Sequence, residues 1–166
     1  MAPCIKQLFI SLGVLFAGHG LSQTFVPVYA SRMGWSEGNI GAIGSAYFLG
    51  FVIGCLTVPK LLSRAGHIRV FMTMTGMTSA SILLLSDVQH IAAWIGLRFL
   101  SGWCLAAIYT TAESWINENA KKGQRGRLIS IYVLVSLVGM ASGQILFGLI
   151  QLEHLFALAA LLILFA

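Results

Sequence analysis

The chain has 166 residues, 58% hydrophobic and only 9% charged, with a mean hydropathy of +0.89 and a formal net charge of +5. A soluble globular domain carries about 25% charged residues, so this composition is that of a polytopic membrane protein in a lipid bilayer. The positive balance does not point to nucleic acid, because the basic residues sit in short segments between apolar runs, where they act as topology signals.

A membrane-crossing helix needs about 20 apolar residues. On that measure the chain reads as one all-α transmembrane domain with spans at 8–30, 38–58, 68–85, 92–117, 128–150 and 155–166. The first run is interrupted by His19-Gly20 and Ser22-Gln23. It is long enough to span, and is read as a span rather than a cleaved leader. His19 and Gln23 lie four residues apart, hence on one helical face. An imidazole there can change charge near neutral pH and carry a coupling proton, or simply hydrogen-bond a neighbour.

Ser36 precedes the second run as a helix cap, with Asn39 three residues on. Ala46, Gly50 and Gly54 repeat at four-residue spacing in that run. Lipid gives no hydrophobic drive between helices, so such a small-residue face serves close packing. Pro59 is expected to end the helix, leaving a basic loop from 60 to 69.

The fourth run, 97–118, carries Arg98 and Glu113 within apolar sequence. A charge at mid-membrane costs about 2.5–3.5 kcal/mol, which makes each a functional candidate. At ~100° per residue, Arg98, Gly102, Tyr109 and Glu113 form one stripe within roughly 60°, while Glu118 points about 200° from Arg98. Arg98 and Glu113 lie roughly 22 Å apart along the helix, so they are not direct partners.

A second basic loop, 118–127, leads to the fifth run, where Gly139 and Gly143 again make a small-residue face beside Gln144. The sixth run, 155–166, is twelve apolar residues, about 18 Å of helix. It is short of a full span, and the chain is expected to be a fragment ending inside its sixth helix.

Of the ten Lys and Arg, eight (Lys6, Lys60, Arg64, Arg69, Lys121, Lys122, Arg125 and Arg127) fall at the N-terminus and in the two basic loops. Basic loops stay cytoplasmic, which puts the N-terminus inside; the plasma (inner) membrane is the expected location. Cys4, Cys55 and Cys104 share no ligand spacing, so neither a disulfide framework, a metal nor a cofactor is expected. With no nucleophile–base pair and no phosphate loop in view, the chain does not read as an enzyme.

The segment Pro59-Lys60-Leu61-Leu62-Ser63-Arg64-Ala65-Gly66-His67-Ile68-Arg69 resembles the signature loop of the major facilitator superfamily, G-x-x-x-D-R-x-G-R-R/K. Arg64 and Gly66 match, Arg69 lies close to the final basic position, and Pro59 and Ser63 replace the Gly and Asp. Arg98-Phe99-Leu100-Ser101-Gly102 is similar to the R-x-x-Q-G start of the family's fourth helix. Gly139 to Gly148 keeps the G-x-x-x-G of its proton antiporters, but Gln144 and Phe147 replace Pro and Gly. Drug-antiporter identity is therefore not supported.

The resemblance covers essentially the whole chain as the N-terminal half of a twelve-helix transporter. It implies secondary transport of a small solute by alternating access, with the missing C-terminal half or a second half-protein as partner. On that reading His19, Gln23, Arg98, Tyr109, Glu113 and Gln144 line a substrate or proton-coupling cavity. Arg64, Gly66, Arg69, Glu118, Arg125 and Arg127 form a cytoplasmic gate, with Glu118 pairing to Arg64 or Arg69. The alternative is a non-transporting helical assembly or interaction subunit.

Overall fold

A computed structural model describes residues 3–120 and 123–165. They form six helices: α1 Pro3–Arg32, α2 Glu37–Ala65, α3 His67–Asp87, α4 Ile91–Asn119, α5 Arg125–Phe147 and α6 Leu152–Leu164. The first five are long and apolar enough to cross a membrane. The thirteen residues of α6 make a helix of about 20 Å. Lys121 and Lys122 of the second basic segment lie outside the described residues.

Ser36 caps α2 as its sequence position predicts, its hydroxyl accepting from the Asn39 N–H at 3.4 Å. The far end of α2 differs from expectation. The helix runs through Pro59 to Ala65, so residues 60–65 are helical rather than loop. Pro removes one backbone hydrogen bond, a loss that membrane helices tolerate where neighbouring groups re-satisfy the backbone. What ends α2 is Gly66, at φ +82°, its N–H bonded to the Leu62 carbonyl at 3.0 Å. That left-handed geometry suits glycine, and it lets α3 begin at the very next residue. Pro27 likewise sits inside α1, and α5 stops at Phe147, short of the expected 150.

The packing has an internal logic. α4 lies along α2 and is backed by α3; α1 lies along α5 and is backed by α6; α3 and α6 meet behind. The three helices of each half of the chain thus exchange their first member, as in the nested three-helix repeats of some transporter folds. Both main pairings use the same device. On α2, a Cβ built at Gly50 would run into the Phe99 carbonyl of α4, and one at Gly54 would meet Ala106 at 2.6 Å. On α5, a Cβ at Gly143 would run into the Ala17 carbonyl of α1, and one at Gly139 would meet the Gly13 carbonyl at 2.8 Å. The small-residue faces are therefore the helix contacts. The outer faces of α2 and α5 carry exposed Leu49, Val52, Leu56, Leu134, Leu137 and Val138, an apolar surface suited to lipid.

At the end of the bundle where α1 stops, Trp94 is fully buried. It packs edge-on against Trp35 at 4.9 Å and stacks on Tyr29 at 6.1 Å. Its indole N–H donates to the Val88 carbonyl at 2.7 Å. This tie fixes the turn between α3 and α4, and with it the register of Arg98 one helical turn further on.

Candidate functional site

Close approach of α2 and α4 brings Tyr47 and Arg98 together, and α1 supplies His19 and Gln23. Arg98 is 5% exposed and His19 6%. Nη2 of Arg98 donates to Gln23 Oε1. The guanidinium lies over the Tyr47 ring, 4.5 Å from its centroid, a cation–π contact. The Tyr47 hydroxyl and His19 Nε2 are 3.3 Å apart, and the two rings stack at 5.9 Å. Four polar side chains from three helices thus form one connected cluster. Arg98 Nε is buried with no hydrogen-bond partner among the described residues.

A cavity of about 270 Å³ opens beside this cluster, lined by Gln23, Arg98 and apolar groups of α1 and α2. The sequence pattern finds His19, Gln23 and Arg98, because charge or polarity in an apolar run is conspicuous. It misses Tyr47. The available signal was position: Tyr47 lies three residues before Gly50, on the face that meets α4.

The other expected lining residues lie elsewhere. Tyr109 packs with Phe16 at 4.9 Å, Phe51 at 6.0 Å and Tyr132 at 6.4 Å, an aromatic cluster where α1, α2, α4 and α5 converge. It sits eleven residues from Arg98, roughly 16 Å along α4. Glu113, one turn beyond Tyr109, is exposed, and so is Gln144, next to the α1-facing Gly143.

At the opposite end of the bundle the expected ion pair changes partner. Glu118 takes His67, with His67 Nε2 3.4 Å from Glu118 Oε1, rather than Arg64 or Arg69. Ser114 completes a small triangle, 3.0 Å from His67 Nε2 and donating to Glu118 at 3.4 Å. The cause is the helical continuation of α2. With only Gly66 between the helices, the first residue of α3 is the one carried against α4, while Arg64 and Arg69 are exposed. Arg69 still lines the same crevice as Glu118. His67 stands directly after the signature Gly66, where the family pattern has a basic residue. Arg125 Nε donates to Asn117 Oδ1 at 2.5 Å, tying the start of α5 to the end of α4, and Arg127 is exposed.

Comparison with known proteins follows the same outline. A family model described as Major Facilitator Superfamily matches residues 8–166. An uncharacterized MFS-type transporter of Salmonella arizonae, YcaD, is 27% identical over 93% of this chain and 40% of its own length. An uncharacterized MFS-type transporter of Yersinia pestis is 28% identical over 92% of this chain and 38% of its own. The Escherichia coli O139:H28 protein YcaD is 27% identical over 90% and 39%. The chain therefore spans about two fifths of the length of the curated relatives it matches.

Proposed function

The chain belongs to the major facilitator superfamily, and on that premise we propose that it forms the N-terminal half of a secondary transporter that moves a small solute by alternating access. The observation that carries this reading is the buried His19–Tyr47–Arg98–Gln23 cluster at a cavity between α1, α2 and α4. Polar and charged groups inside a membrane bundle mark substrate or ion pathways. In this reading the chain, as the N-terminal half, rocks against a C-terminal half about that site. The distribution of basic segments supports a cytoplasmic N-terminus, and with it a cavity that opens toward the outer end of the bundle.

Glu113 is the residue for coupling. It is an acid on the Arg98–Tyr109 stripe of the sequence, and its side chain is exposed. With the complete transporter polypeptide reconstituted in vesicles, an imposed pH gradient should drive solute uptake. Glu113→Gln should remove that driven component while leaving solute exchange at equal pH intact. Gradient-driven uptake unchanged in the variant would rule out Glu113 as the coupling group.

The His67–Ser114–Glu118 triangle is the inner latch, joining the start of α3, just after the Gly66 turn, to α4. Exposed ion pairs are worth little individually, about 0–1 kcal/mol. Glu118→Ala should therefore alter the rate of opening several-fold without changing solute affinity. Counterflow rates and binding titrations on the same preparation check this, and lost affinity at an unchanged rate would count against a latch.

A further inference from the structure

We infer that the cavity beside Arg98 receives a small monocarboxylate with a short apolar body. The inference rests on the transport reading only for placing the chain in a transporter, and it names the solute class of that site.

Charge is the first consideration. A guanidinium offers five N–H donors and accepts nothing. Arg98 is 5% exposed, its hydrogen bond goes to the neutral amide oxygen of Gln23, and its Nε has no partner among the described residues. Among the described residues the single ion pair is His67–Glu118, at the other end of the bundle. Arg98 therefore holds a positive charge inside the membrane with no described carboxylate to balance it. Such a charge is costly until an anion reaches it.

Shape is the second. The cavity of about 270 Å³ is lined by the polar Arg98 and Gln23 and by apolar groups that include Val26, Pro27, Ile43 and Phe48. That volume is the share of roughly nine water molecules, room for a solute of about that many heavy atoms. One cation matches one negative charge, and the planar fork of arginine matches a planar carboxylate. With no second basic residue lining the cavity among the described residues, a phosphate dianion would stay undercompensated. The apolar walls call for a hydrocarbon body behind the carboxylate.

The test is a thermal-shift titration of the complete transporter polypeptide in detergent. The probes are acetate, hexanoate and benzoate, each beside its neutral amide. Hexanoate or benzoate should raise the melting temperature saturably where the amide does not. Arg98→Gln should weaken that binding at least about tenfold. Gly44→Leu provides a variant that leaves Arg98 in place. Gly44 lines the cavity, and a Cβ built there meets nothing within 4 Å. Its side chain should occupy the space and abolish the shift while the unliganded protein melts normally.

Equal stabilisation by acid and amide would overturn the proposal, as would no response to any of the three acids. Hexanoate or benzoate binding that survives both substitutions would overturn it too. Acid binding without vesicle flux would leave this assignment standing and remove the transport reading. Flux of neutral solutes with no acid binding would do the reverse.

Discussion

Gly143→Leu should leave little folded protein. A Cβ at that position runs into the Ala17 carbonyl and sits 2.6 Å from the Leu21 amide nitrogen, both backbone atoms of α1. A side-chain neighbour could rotate away; helix backbone cannot. Overpacking a core typically costs 1–3 kcal/mol, and here α1 and α5 would have to separate along their shared length. In lipid no hydrophobic drive restores the contact, because attraction between helices comes from close packing itself. We expect a loss of about 3 kcal/mol or more, a large part of a typical 5–15 kcal/mol of stability. Gly50→Leu should behave alike, since its Cβ runs into the Phe99 carbonyl of α4. Gly76→Ala is the matched control, having open space at its Cβ. It should be neutral or gain up to about 1 kcal/mol from helix propensity. Monodisperse yield and melting temperature check all three. A Gly143→Leu protein that melts like its parent would mean that α1 and α5 do not pack through these glycines.

Arg98→Met should show the opposite pairing of effects: flux lost by about a hundredfold or more, with the melting temperature unchanged or raised. Arg98 gains one charge-assisted bond to Gln23 and a cation–π contact with Tyr47, the latter worth about 0.5–2 kcal/mol. Against this stand a buried Nε without a partner among the described residues and a charge at membrane depth costing about 2.5–3.5 kcal/mol. The balance lies near zero or favours the apolar replacement, as for other buried charges exchanged for hydrophobic groups of similar size. Gln23 is only half-buried and lines the cavity, so its amide can be hydrated when the guanidinium is gone. Vesicle flux and thermal melting on one preparation separate the cases. A fall in melting temperature that tracks the fall in flux would make Arg98 a structural strut rather than a binding group.

The contrast between these two substitutions follows from what each residue meets. The glycines touch backbone on a neighbouring helix and serve only approach. Arg98 touches side chains that can rearrange, at the edge of an open volume. Its position is maintained by the helices around it, not the reverse.

By itself the sequence determined the all-helical membrane architecture, the helix count, the Ser36 cap and the small-residue faces at Gly50, Gly54, Gly139 and Gly143. Lipid leaves few choices: a spanning segment must satisfy its own backbone, and helices that pack must be small where they touch. Intramembrane polarity also singled out His19, Gln23 and Arg98, because each stands against an apolar background. Only the tertiary structure decided which of the candidates meet. Tyr47 joins Arg98 because α2 and α4 approach through Gly50 and Gly102, while Tyr109 on the same stripe of α4 belongs to a separate aromatic cluster a rise of roughly 16 Å away. The partner of Glu118 was equally hidden. Helix α2 passes through Pro59 and ends at Gly66, which carries His67 rather than Arg64 or Arg69 to α4. Local propensity sets where a helix can end, but the distance between two side chains depends on how far the helices run and how closely they cross.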